Sequence, residues 1–231
     1  MAPSDSERQL DNPIWWCLST RHAHVAQGGP LARRYRADIS PITGFPDTSA
    51  SAEAVEALVA IGDDMGTFGP VLPVLPPTWE TLQATKITQM IRVDRSPLPE
   101  GGVEASMLRD ADVADMLALV ELTQPGPFRR RTIELGRFIG IRENGRLLAM
   151  AGERMWVGDC REVSGICTHP DALGRGFARM LTGRIVNGIL RAGETPFLHV
   201  RSANARAIGI YETLGFVWRA EFALLHARRL A

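Results

Sequence analysis

Two short stretches of this 231-residue chain combine residue types and spacings that could do chemistry. The first is Thr168-His-Pro-Asp-Ala-Leu-Gly-Arg-Gly-Phe-Ala178, where an apolar run ends, a glycine-rich turn follows and an amphipathic pattern begins. A strand, a glycine loop and a helix in that order make an anion cradle. The first helical amides have no internal partners, the helix dipole is positive there, and Gly174 and Gly176 let a phosphate approach the backbone. Pyrophosphate is the natural guest of such a cradle. The loop is not a P-loop, because no Lys-Ser/Thr follows, and it lacks the full GxGxxG fingerprint. By itself it is equally compatible with a purely structural turn. The second stretch is Asn204-Ala-Arg-Ala-Ile-Gly-Ile-Tyr-Glu-Thr-Leu-Gly-Phe216. Asn204 suits an N-cap, Tyr211 lies seven residues on and near the same helical face, and Gly215 can supply the left-handed turn before a strand at Phe216. Alone, this too reads as a capped helix with a core tyrosine.

The elements that must position these residues follow from hydrophobic period. Asp112–Leu122 carries its apolar residues on one helical face. Phe138–Arg142 and Arg146–Trp156 read as strands around Glu143-Asn-Gly-Arg146, a strong hairpin signal, and Arg161–Thr168 reads as a third strand. Gly176–Leu190 is a long amphipathic helix, Pro196–Val200 a short strand, Asn204–Leu214 a helix, and Phe216–Ala227 one or two final strands. Antiparallel hairpins followed by a strand–helix–strand crossover predict an α/β (α+β) fold, a mixed, mostly antiparallel twisted sheet flanked by helices. Upstream, Ser51–Ile61 repeats apolar residues at helical spacing. Thr78 opens a second helical pattern through Leu82, Ile87 and Met90, with a short apolar strand between the two. Eleven of the 15 prolines precede residue 101, and Ser96-Pro-Leu-Pro-Glu-Gly-Gly-Val-Glu104 has linker composition. The expected division is an accessory region over residues 1–95, a linker over 96–103 and a chemistry-bearing domain over 104–231.

Composition narrows the function classes. At 45% hydrophobic and 23% charged residues, the chain is globular in type rather than disordered, and no apolar run approaches a membrane span. Met1–Asn12 is polar and acidic, unlike a secretory leader, so a cytoplasmic address is expected. Basic and acidic side chains balance at 26 each, which offers no field for nucleic acid or an anionic membrane. The balance hides a split: residues 1–100 hold 8 basic and 12 acidic groups, and residues 101–231 hold 18 and 14, so the second part is the better anion host. Lys86 is the only lysine, which argues against a catalytic-lysine mechanism elsewhere. Cys17, Cys160 and Cys167 form no zinc or disulfide pattern, and no metal site is expected; His22 and His24 are read as structural, and the Trp15–Trp16 pair as packing residues.

Taken together, in this order and about 30 residues apart, the two chemistry-bearing stretches resemble the GNAT superfamily of acyl-CoA-dependent N-acyltransferases over about residues 104–228. The resemblance implies that acetyl-CoA, as co-substrate, meets an amine acceptor on a monomer or homodimer. The family's pyrophosphate loop, Arg/Gln-x-x-Gly-x-Gly/Ala, falls on Leu173, Gly176 and Ala178, with Gly174, Arg175 and Phe177 between. Leu173 departs from the Arg or Gln, so a side-chain contact must come from elsewhere, with Arg175 and Arg179 as candidates. By position, the family's splayed strand assigns the pantetheine arm to the main chain of Ile166, Cys167 and Thr168. The later block is matched throughout by Asn204, Ala207, Tyr211, Gly215 and Phe216. A primary amine of pKa about 10 must lose a proton before attack. The first candidate base is Glu162, 11 residues before Leu173, with Glu153, Glu121 and His169 in reserve. Tyr211 is the expected general acid for the departing thiolate. Thr123–Phe128 is a candidate acceptor wall. The resemblance also admits a tandem origin, with residues 1–95 a degenerate second copy. The competing function is a coenzyme-A-binding module that has lost turnover.

Overall fold

The computed structural model describes residues 5–46 and 50–231, so the first four residues of the N-terminal stretch lie outside the description. In chain order the elements are α1 Asp5–Gln9, α2 Pro13–Ser19, β1 Ala26–Gly28, β2 Arg33–Tyr35, β3 Thr43–Gly44, α3 Ala52–Glu56, β4 Asp64–Phe68, β5 Trp79–Ile91, β6 Ser106–Met107, α4 Val113–Thr123, β7 Phe138–Glu143, β8 Arg146–Val157, β9 Cys160–Thr168, α5 Phe177–Arg191, β10 Thr195–Arg201, α6 Ala205–Thr213 and β11 Val217–Arg229. Strands β4 to β11 form one eight-stranded sheet in the order β4-β11-β5-β10-β9-β8-β7-β6, and β1 to β3 form a small separate sheet. Within the large sheet only β9 and β10 run parallel. This is the mixed, mostly antiparallel sheet flanked by helices that the hydrophobic pattern predicts.

Each face of the sheet is sealed by a different part of the chain. On one face α5 buries Phe177, Leu181, Ile185, Val186 and Ile189 against Leu148, Ala151, Val163, Leu198 and Val200, joined by Tyr211, Leu214 and Phe216 from α6 and its exit. On the other, α4 packs Met116 and Leu119 on Phe138, Met150 and Cys167. Beside α4, Leu10, Ile14, Cys17, Leu18, Tyr35, Ile39 and Ile42 cover Met155, Val157, Phe197 and Phe222. Trp15 and Trp16 are only half-buried there, with Trp16 against this cluster.

Residues 64–91 depart from the helical reading. The stretch from Thr78 is not a helix: Trp79–Ile91 is a 13-residue strand lying between β10 and β11. Leu82, Ile87 and Met90 happen to lie at near-helical spacing, but threonines at 81, 85 and 88 and Ile87 are β-branched, and pairing along both edges satisfies the strand's backbone groups. Consequently the stretch 96–103 joins β5 to β6 of the same sheet, and β4 and β5, from residues 1–95, are structural strands of it. The stretch itself is tied to α5, where the Leu98 amide donates to Asn187 Oδ1 at 2.8 Å and Asn187 Nδ2 donates to Leu98 O at 2.9 Å. The helix expected over 51–61 is shortened to Ala52–Glu56, capped by Ser51, whose Oγ accepts from the Ala54 amide at 3.1 Å.

Candidate active site

The site begins where two parallel strands part. β9 and β10 pair only over Cys160–Glu162 and Thr195–Phe197, after which the strands diverge. The rest of β9, from Val163, therefore has a partner on its β8 edge and none on its β10 edge. A backbone left open in this way must be satisfied by something else. The gap opens into a cavity of about 1170 Å³ lined by both strands, the loop after β9, the start of α5, α6, and parts of β4, β5 and β11.

The coenzyme candidates cluster at one end. Ile166, Cys167, Thr168, Leu173, Gly174, Gly176, Phe177, Ala178, Asn204, Ala207 and Tyr211 all line the cavity. Gly174 and Gly176 adopt φ of 81° and 78°, the left-handed region that glycine reaches without penalty, and a Cβ at either would meet no protein atom within 4 Å. Gly176 is the N-cap of α5 and supplies no side chain. The first amide bonded within the helix is that of Met180, so the amides of Phe177, Ala178 and Arg179 have no acceptor among the described residues. Thr168 Oγ1 is buried in the same wall without a partner there. Asn204 caps α6, its Oδ1 accepting from the Ala207 amide at 3.1 Å.

Arg175 does not serve the cavity. It forms an ion pair with Glu143 and lies over the Phe177 ring at 4.5 Å, outside the lining. Leu173 is 55% exposed and offers only backbone. The cations that do line this end are Arg179, Arg201 and Arg206. Arg201 escapes a motif search because it lies between the two stretches, whereas Arg206 stands at a variable position inside the second and carries a signal: a cation in a helix's first turn opposes the dipole unless an anion sits there. The exposed amides, the orphaned hydroxyl and three cations together fit a pyrophosphate-bearing acyl carrier.

Glu162, the expected base, is not exposed to this cavity. It is 1% exposed, with Arg154 Nε and Nη2 donating to it at 2.8 and 2.7 Å and His199 Nδ1 at 2.8 Å. Burial raises its pKa, but the Arg154 guanidinium and the His199 bond outweigh it and hold the carboxyl down at about 2. A carboxylate that weakly basic, with its lone pairs occupied, cannot deprotonate an amine directly. It instead fixes Arg154 and His199, which both line the cavity. His199 also has its other nitrogen engaged, Nε2 lying 3.0 Å from Gln89 Nε2. Glu153 is buried in an ion pair with Arg137, and His169 Nδ1 accepts from the Asp171 amide; neither lines the cavity, whereas Glu121 does.

Tyr211 is 8% exposed, packed edge-on to Phe216, and its phenol is pushed up to about 12 by burial. Burial also lifts the Cys167 thiol to about 11, as expected of an inert core cysteine. Thr123–Phe128 lines the cavity at its other end, with Asp64, Thr67, Phe68, Arg129 and His226, residues outside every motif. His226 Nε2 lies 2.9 Å from Asp64 Oδ2, and Nδ1 has no partner among the described residues. His22 is bonded to the Tyr35 hydroxyl at 2.9 Å, and no group of three metal-ligating side chains occurs among the described residues.

Comparison with known proteins fits this geometry. A family profile described as FR47-like protein matches residues 138–223. A crystal structure from Novosphingobium aromaticivorans DSM 12444, described as an acetyltransferase from the GNAT family, is 32% identical, covers 95% of this chain and 98% of its own, and superposes with a TM-score of 0.86. The chain belongs to the GNAT family of acetyltransferases. A GCN5-related N-acetyltransferase from Kribbella flavida shares the fold at 14% identity, with a TM-score of 0.61 over 100% of this chain and 97% of that one. A search of curated proteins finds no match.

Proposed function

We propose that the protein transfers an acetyl or short acyl group from acyl-CoA to a primary amine of a small molecule or peptide, by direct attack in a ternary complex. The observation that carries this reading is the single cavity reaching from the Leu173–Ala178 loop, through the parted strands, to a polar chamber bounded by Asp64, Arg129 and His226. Both substrates can occupy it at once. The unbonded amides of Phe177–Arg179, with Arg179, Arg201 and Arg206, hold the pyrophosphate, and the free edge of Ile166–Thr168 holds the pantetheine arm. A backbone amide of the parted strand polarises the thioester oxygen.

The chain's own groups then move protons. The amine must shed one before its lone pair attacks the carbonyl carbon. We assign His226 to receive it through a chain of cavity water, because Asp64, towards the far end of the chamber, holds Nε2 and leaves Nδ1 open. The new C–N bond forms as the C–S bond breaks, and the departing sulfur takes its proton from Tyr211. Burial keeps this phenol protonated throughout the physiological range, and Cys167 is too poor a thiolate to carry an acyl group.

Initial rates of free-thiol release across an acyl-CoA and amine panel test the reading. Intersecting double-reciprocal patterns are expected, and parallel patterns would contradict direct transfer. The second reading, a coenzyme-binding module without turnover, is favoured by Leu173 standing where the family carries a polar side chain. It predicts coenzyme binding with no thiol release from any amine.

A further inference from the structure

A second, smaller pocket of about 420 Å³ adjoins the acceptor end, lined by Arg34, Ala37, Gly62, Asp63, Asp64, Arg129 and Arg228. Asp64 and Arg129 belong to both cavities. Most of these charges are accounted for or exposed. Arg129 donates to Asp64 Oδ1 at 2.6 Å, Asp64 also holds His226, and Arg228 is at the open rim. Arg34 is different. It is 3% exposed and has no ion pair within the described residues; Nη1 donates to Leu58 O at 3.0 Å, and Nε is buried with no partner. A guanidinium cannot shed its charge near neutrality, and although Asp63 and Asp64 act on Arg34 through space, no carboxylate is hydrogen-bonded to it and Nε is left unsatisfied. Three arginines facing two aspartates leave one positive charge, which matches one carboxylate and suits a dianionic phosphate less well.

The position of this pocket fixes the ligand's length. Phe68, at the far end of β4, lies 4.5 Å from the His199 ring, and His199 stands two residues beyond the last β9–β10 pair, where the strands have parted. Asp64, at the near end of β4, borders the small pocket. At about 3.3 Å per residue the two ends of β4 are roughly 13 Å apart. We infer that the small pocket is an acceptor subsite for a carboxylate, so that the preferred acceptor is an elongated amine with a carboxylate roughly 13 Å from its reacting nitrogen. This inference rests on the transfer reading above for the position of the nitrogen. A short peptide with a free C-terminus and a long ω-amino acid share this chemistry.

The test uses the 231-residue chain with 15N-labelled arginine and saturating coenzyme A. Peptides and ω-amino acids of increasing length are added, each as free acid and as amide. The Arg34 Nε–H resonance should move with the acids and stay still with the amides, and the responding series identifies the scaffold. In thiol release the acids should exceed the amides by about tenfold or more in kcat/KM, expressed in KM, as loss of a charge-assisted hydrogen bond implies. Arg34→Gln should erase that preference while leaving acetyl-CoA affinity unchanged. If Arg34→Gln fails to fold, Arg228→Gln at the rim should weaken the preference in its place. Equal binding of acids and amides, or a silent Arg34 Nε, would overturn the inference and leave Asp63, across the pocket, as the counter-charge through water. Failure of coenzyme A to bind would sink the transfer reading instead, while the Arg34 resonance would still decide whether the pocket takes a carboxylate.

Discussion

The two ends of the cavity recognise their ligands by different physical means. At the coenzyme end the recognition groups are mostly backbone: unbonded amides at the start of α5, the free edge of β9, and glycines whose φ keeps side chains out of the way. At the acceptor end they are side chains drawn from five separate segments, Arg129 and His226 locked by Asp64, and Arg154 and His199 locked by the buried Glu162. A backbone cradle tolerates sequence change, as Leu173 illustrates, because its donors do not depend on residue type. A side-chain chamber does not, and it is there that specificity is set.

The largest effect that would sharpen this contrast is at Tyr211, between the two ends. Tyr211→Phe should lower kcat by about 10²–10⁴-fold with little change in acetyl-CoA affinity, measured by thiol release and titration. Next, the acceptor end should be intolerant of losing one partner of a buried pair. Arg154→Met strands the Glu162 carboxylate and should cost about 3–5 kcal/mol in denaturant unfolding.

Acid should expose the same dependence. His22, bonded to Tyr35 and lowered to about 4 mainly by burial, binds protons more readily once unfolded, so stability should fall as pH drops from 6.5 towards 4. Glu162, held at about 2, contributes stability that is complete above 4.5 and is lost as pH falls from there towards 2. Unfolding free energies measured through both windows should show two successive losses; the His22 window lies outside the cavity, and a flat profile between pH 4.5 and 2, where Glu162 titrates, would break the contrast. The coenzyme end should respond least in stability. Asn204→Ala removes the α6 cap for about 1 kcal/mol. Gly176→Ala strains a φ of 78° for roughly 1 kcal/mol but places a methyl in the cradle, so its effect on coenzyme affinity should exceed its effect on melting.

This division also explains what could be read in advance. The cradle and the α6 block are contiguous, so local spacing is enough to single out Gly174, Gly176, Asn204 and Tyr211, and all four line the cavity. The hairpin at Asn144-Gly145 and the helices α4, α5 and α6 are equally local and fall where period and turn chemistry put them. The rest depends on distant pairing. Trp79–Ile91 is a strand because β10 and β11 flank it, and neither lies near it in sequence. Glu162 reads as a base in isolation; only the approach of Arg154 and His199 turns it into a fixed counter-charge. Arg34 and Arg228 come to share a pocket across 194 positions of chain, with no pattern linking them.

The most direct test of the central claim is calorimetric titration of the purified protein with acetyl-CoA and coenzyme A, with ATP and NAD as controls. Selective, saturable binding of the two coenzyme forms, weakened by Arg179→Gln and Arg206→Gln, is the predicted result. No binding, or equal binding of ATP and NAD, would contradict it.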